Sequence, residues 1–145
     1  KPSLQPGLTH TFRFTIPENK TVPHIYPEAT DFQDMPRVFA TGYMVALCEW
    51  ACVDLLKPHL DWPQEQSLGT HVNLSHVAAT PPGLTVTVDA KLDAIEGRRL
   101  KLSVHAHDGI DTISTGTHER VVIDAPRFTE KLARKIALAA RPTPT

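Results

Sequence analysis

The sequence predicts an α+β domain in which one apolar helix is wrapped by a strongly curved antiparallel sheet. Three observations carry this. The run Phe39 to Val53, FATGYMVALCEWACV, holds a single charged residue, Glu49. A helix apolar nearly all round belongs in the middle of a domain. Two long runs in the second half alternate apolar and polar residues, as half-buried strands do. Asp108-Gly109 then separates two strand-like runs, a strong hairpin signal.

In order along the chain, Leu8 to Ile16 sets Leu8, Phe12, Phe14 and Ile16 on one side against Thr9, Thr11, Arg13 and Thr15, a first strand. Pro17 to Arg37 is rich in Pro and polar residues. An irregular stretch of about twenty residues in a compact domain has the character of a lid or binding loop. The buried helix is expected over about Gly42 to Leu56, with Thr41 as N-cap and Pro58 and Pro63 ending it. A strand over Gly69 to Ala78 puts Val72, Leu74, His76 and Ala78 on one face. Leu84 to Ala94 and Leu100 to His107 alternate strictly, joined by a turn at Glu96-Gly97-Arg98. The last strand, roughly Thr112 to Ile123, is polar on both faces for much of its length. Ala125 to Ala140 reads as a short amphipathic helix, and Arg141 to Thr145 as a disordered tail. Strand, long loop, buried helix and four further antiparallel strands make the hot-dog arrangement, with an open-faced α+β roll as nearest competitor.

At 145 residues the chain is expected to form one domain with a real core. A net charge of −1 gives no electrostatic case for nucleic acid. No membrane span is expected, since Glu49 and Asp54 interrupt the longest apolar run. The chain opens on Lys1 without a signal-peptide pattern. Cys48 and Cys52, four apart on one helix, are poorly placed to bond each other. Reduced, buried and unreactive thiols follow, which fits a cytoplasmic compartment.

Glu49 is the first candidate for chemistry, because an ionised carboxyl inside a domain is paired, protonated or at work. Its structural alternative is an ion pair with Arg120 or Arg13. His76 shares its strand face with apolar residues and points toward the helix, which makes it the expected partner of Glu49. Thr41 is either the helix cap or a third working group. Eight helical steps at about 1.5 Å would set it about 12 Å from Glu49 along the axis. The two meet only if the chain folds back over the helix or if two protomers combine. His105 and His107 share a strand face, but no metal-binding spacing accompanies them, so no metal is expected.

The blocks FATGYMVALCEWACV, SLGTHVNLSHVAATPPGLTVTVDA, EGRRL and AHDGIDTISTGTHERVVI closely resemble the fluoroacetyl-CoA thioesterases, from about His10 to about Lys131. The resemblance implies hot-dog enzymes that hydrolyse an acyl-CoA, with catalytic Thr41, Glu49 and His76 and further site residues Gly69 and Arg120. It also implies a homodimer with sites near the subunit interface. The CoA thioester is then the substrate, and no cofactor is retained. In the lid segment DFQDMPRVFATG, Phe32 matches one family phenylalanine, whereas Met35 stands where a second belongs. A rigid aromatic gate becomes an adaptable one, which bears on preference for the fluoroacetyl group. Three routes are open. Thr41 or Glu49 attacks the carbonyl, or Glu49 or His76 activates water, or His76 removes a proton alpha to the carbonyl. Amides near Gly42 and Tyr43 at the helix start are placed to receive the oxyanion.

Overall fold

The computed structural model describes residues 1–141. One five-stranded antiparallel sheet is formed by β1 (Thr9–Thr15), β2 (Glu65–Leu74), β3 (Thr85–Glu96), β4 (Arg99–His107) and β5 (Thr112–Asp124). Their spatial order is β1-β3-β4-β5-β2. Short helices α1 (Val22–Ile25) and α2 (Thr30–Gln33) precede the central α3 (Thr41–Leu56), and α4 (Ala125–Ala139) follows β5. The expected buried helix and curved sheet are thus both present.

The core lies between α3 and the concave face of the sheet. Met44, Leu47, Cys48, Ala51, Cys52, Leu55 and Leu56 of α3 are buried. They face the inward sets of β3 (Val86, Val88, Ala90, Leu92) and β4 (Leu100, Leu102, Val104, Ala106). Each fully buried Leu contributes about 1.5–3 kcal/mol relative to exposure. The thiols of Cys48 and Cys52 are free, and burial pushes both up to about 12, as expected for inert cysteines.

The helix is not buried all round, and this corrects the reading of Glu49. The outer face of α3 is open, with Trp50 48% exposed. Phe12 and Phe14 of β1 pack against Trp50 at ring separations of 4.6 and 6.0 Å. Glu49 sits on the boundary between the two faces, its side chain 39% exposed. It is half-buried beside the core, not inside it.

The expected irregular lid contains ordered pieces. Gln33 Nε2 of α2 donates to Pro23 O of α1 at 2.8 Å, and Arg37 pairs with Glu18 at 2.8 Å. The lid is sealed to the base of α3 by a bridge between Thr21 and Phe39. Strand β2 begins earlier than expected and ends at Leu74, with a register shift between Gly69 and His71. His76 therefore lies past the strand, on an extended segment held where Ser75 N–H and Val77 N–H donate to Thr115 O and Ile113 O at 3.0 and 2.8 Å. At Gly116 a Cβ would collide with Asn73 O, so only glycine allows β5 to approach β2 this closely just before that segment. Helix α4 is capped by Asp124, which accepts from Arg127 N–H, and none of its residues is buried. Of the expected tail, 142–145 lie outside the described residues.

The segment before α3, the segment after β2 and the turn between β4 and β5 are tied together by one buried chain of bonds. Phe39 N–H donates to Thr80 O at 2.8 Å, and Thr80 Oγ1 donates to Asp108 Oδ2 at 2.8 Å. Asp108 also accepts from the amides of Ile110 and Asp111 at 3.0 and 2.8 Å, which closes the hairpin turn. Burial alone would raise the Asp108 carboxyl, but the hydrogen bonds from Asp111, Ile110 and Thr80 outweigh it and hold it below its ordinary 3.8. Asp108→Asn is expected to destabilise the fold by about 1–3 kcal/mol, because it weakens several charge-assisted bonds at once. The ionised carboxyl stabilises fully above its ordinary pKa, and this contribution fades as pH falls through the depressed folded value. Urea unfolding of both proteins as a function of pH checks it: the gap is wide at neutral pH and narrows in acid.

Candidate active site

Helix α3 starts without a side-chain cap. Its N-cap is Ala40 in extended conformation, and Thr41 is already helical. The expected capping role of Thr41 is therefore not observed. Met44 N–H makes the first intrahelical bond, to Ala40 O at 2.9 Å. The amides of Thr41, Gly42 and Tyr43 are the first-turn donors that have no acceptor within the helix. Thr41 is exposed, and its Oγ1 shares a 2.7 Å hydrogen bond with His76 Nδ1, across 35 residues of sequence. His76 Nε2 is buried without a partner. Burial lowers the His76 pKa below its ordinary 6.5, so the ring favours the neutral form that a general base requires. A hydroxyl on a neutral imidazole, beside unpaired helix donors, is an arrangement able to attack a carbonyl and hold the resulting oxyanion.

Gly42 governs how closely the lid approaches this point. A Cβ there would lie 2.6 Å from Ile25 Cδ1, so α1 rests on bare backbone. In the lid, Phe32 is half-buried and Met35 is 44% exposed.

A second cluster lies further along α3. Glu49 Oε2 accepts from Arg120 Nη1 of β5 at 3.0 Å, the ion pair weighed above as the structural alternative. Arg120 is buried, and each of its three nitrogens has a partner. Nε donates to Ser67 Oγ and Nη2 to Ser67 O, both at 2.8 Å, and Nη1 also donates to His118 Nε2 at 2.9 Å. Gly69 is the gap into which the carboxylate fits. A Cβ on it would stand 2.8 Å from Glu49 Oε2 and 3.4 Å from Arg120 Nη1.

Thr41 and His76 are thus brought together, as are Glu49, Gly69 and Arg120, but the two clusters are separate. His76 bonds Thr41, not Glu49, contrary to the expected pairing. Thr41 and Glu49 belong to one regular helix, so the chain does not fold back, and about 12 Å of helix rise separates them. His105 and His107 lie together on β4 with ring centres 6.2 Å apart, and no metal-binding group of residues is found among the described residues. No helix among them is long and apolar enough to cross a membrane. Sequence reading missed Ser67 and His118. His118 was detectable in principle, because it stands in phase with Arg120 and the buried Val122 on β5.

The fluoroacetyl-CoA-specific thioesterase (FlK) family matches residues 19–126. A fluoroacetyl-CoA thioesterase from Streptantibioticus cattleyicolor is 53% identical over 135 residues, covering 93% of this chain and 96% of that protein. A solved fluoroacetyl-CoA thioesterase, a threonine-to-serine variant in complex with acetyl-CoA, is 52% identical with a TM-score of 0.88, over 91% of this chain and 98% of that one. A hot-dog-like protein from Thermanaerovibrio acidaminovorans, 21% identical with a TM-score of 0.72 over 95% and 94% of the two chains, shares the fold. On the family match and the identity over most of its length, this chain belongs to the fluoroacetyl-CoA-specific thioesterase family.

Proposed function

We propose that the protein is a homodimeric, cytoplasmic acyl-CoA thioesterase that hydrolyses short acyl-CoAs, fluoroacetyl-CoA among them, to the free acid and CoA. The observation that carries this reading is the Thr41–His76 hydrogen bond at the uncapped start of α3. The acyl-CoA hydrolysed by the 53% identical relative supports the substrate class. The CoA thioester is the substrate, and the chemistry uses side chains and backbone amides alone.

In this reading the thioester carbonyl lies at the helix start, its oxygen toward the amides of Gly42 and Tyr43. Thr41 Oγ attacks while His76 takes its proton, and that proton leaves with the CoA sulfur. Water, deprotonated by Glu49, then cleaves the Thr41 ester, and Glu49 returns that proton to the departing Thr41 oxygen as the acid is released. Arg120 and Gly69 hold the Glu49 carboxylate in place. Phe32 and Met35 of the lid border the acyl group.

The 12 Å of helix between Thr41 and Glu49 makes the dimer part of the proposal. Each working site takes Thr41 and His76 from one protomer and Glu49 and Arg120 from its partner. β2 is an edge strand, and its backbone edge is the kind that pairs with a second copy. The buried, reduced thiols of Cys48 and Cys52 suit a cytoplasmic setting.

A thiol-release assay on acetyl-, fluoroacetyl- and longer acyl-CoAs tests the activity. Turnover by wild type and a loss of about 10²–10⁴ in Glu49→Gln are expected, and equal inactivity of the two on every substrate removes the enzyme reading. Shared sites are tested by mixing two inactive variants, Thr41→Ala and Glu49→Gln. Random heterodimers then contain one intact site, and about a quarter of wild-type activity returns. No recovery from proven heterodimers places each site within one chain. Met35→Phe is expected to raise the ratio of kcat/KM for fluoroacetyl-CoA over acetyl-CoA, since a stiffer aromatic gate discriminates more sharply. An unchanged ratio assigns that preference elsewhere.

A further inference from the structure

The hydrogen-bond inventory around Arg120 fixes the protonation state of a residue that the proposed reaction does not touch. His118 is 1% exposed. Its Nδ1 lies 2.8 Å from the carbonyl oxygen of His71. A carbonyl only accepts, so Nδ1 carries the proton. Its Nε2 lies 2.9 Å from Arg120 Nη1. A guanidinium only donates, so Nε2 presents its lone pair. Both ring nitrogens are thus committed, and the ring is neutral in one tautomer. Burial lowers its pKa below the ordinary 6.5, which opposes a second proton.

Arg120 Nη1 has two hydrogens and two acceptors, Glu49 Oε2 at 3.0 Å and His118 Nε2 at 2.9 Å. The two bonds determine the plane of the guanidinium at the end that meets Glu49. Ser67 fixes the opposite end through its hydroxyl and carbonyl. If the His118 acceptor is lost, a buried N–H is left unpaired, which the guanidinium can relieve only by turning. Such a turn moves the Nη1 donor that holds Glu49 Oε2, and the carboxylate seated against Gly69 loses its fixed position.

We propose that His118 is a positioning residue: a fixed acceptor that orients Arg120, and through it the Glu49 carboxylate, for the water-activating step. Its kinetic consequence rests on the thioesterase reading. Its tautomer does not.

Two near-isosteric substitutions separate the roles of the two nitrogens. The amide of His118→Gln reaches the place of Nε2 and offers Arg120 an oxygen. The amide of His118→Asn reaches only the place of Nδ1 and keeps the anchor to His71 O. His118→Asn is expected to lower kcat at least about tenfold with KM for the CoA thioester changed less than about twofold, whereas His118→Gln stays within about threefold of wild type. Equal losses in the two variants, or a loss confined to KM, overturn the proposal. The second measurement uses the wild-type protein without substrate. Nitrogen-15 NMR of labelled histidine is expected to show His118 neutral with the proton on Nδ1 at pH 7. A charged ring, or a proton on Nε2, overturns the proposal even if neither variant folds. If wild type cleaves no acyl-CoA, the thioesterase reading falls, and the spectrum still decides whether His118 offers Arg120 an acceptor.

Discussion

The bond from Phe39 N–H to Thr80 O, backed by Thr80 Oγ1 on Asp108, is the constraint on which the site geometry depends. Phe39 stands two residues before Thr41, and Thr80 stands four residues after His76. Joining them fixes the first turn of α3 against the extended chain that leaves β2. Without it, the direct link between these two segments, 35 residues apart, would be the 2.7 Å bond of Thr41 and His76. A lone exposed hydrogen bond contributes only about 0.5–1.5 kcal/mol, too little to order both segments. The clamp is buried and its Thr80–Asp108 bond is charge-assisted, so it helps to order the two segments that bring Thr41 and His76 together.

The second cluster follows a different logic. A buried guanidinium needs its donors met, and Ser67, His118 and Glu49 take four of the five N–H groups of Arg120. Glu49 is the partly open end of that network. One oxygen is held by the arginine, while the side chain keeps 39% of its surface exposed. The arrangement holds a carboxylate in a fixed place without sealing it from water.

The fold was legible because its signals are periodic. The apolar run of α3, the alternation of β3 and β4 and the Asp108-Gly109 turn each point to one local structure, and they agree with one another. The site was legible only in its residue types. Glu49 stood out as the one charge in its run, but periodicity says nothing about which charge will meet it. His76 was placed on the correct strand direction, yet β2 ends at Leu74, so the phase argument ran past the strand that justified it. Thr41 met every local criterion for a cap, and a tertiary hydrogen bond to His76 displaced that role. His118 was hidden because β5 alternates polar with polar. Its inward phase shows only when Val122 is used as the marker.

Ile25 resting on the bare backbone of Gly42 has a consequence for how this scaffold can change. The depth of the space above the helix start is set there by the absence of a side chain, not by the packing of one. The yielding atom is the tip of a flexible isoleucine on a four-residue helix, outside the α3–sheet core. A single methyl at position 42 would be met first by rotation of that tip, since the next atom of Ile25 stands at an ordinary 3.8 Å. The contact is thus a point at which the seating of the lid can change without disturbing the core between α3 and the sheet.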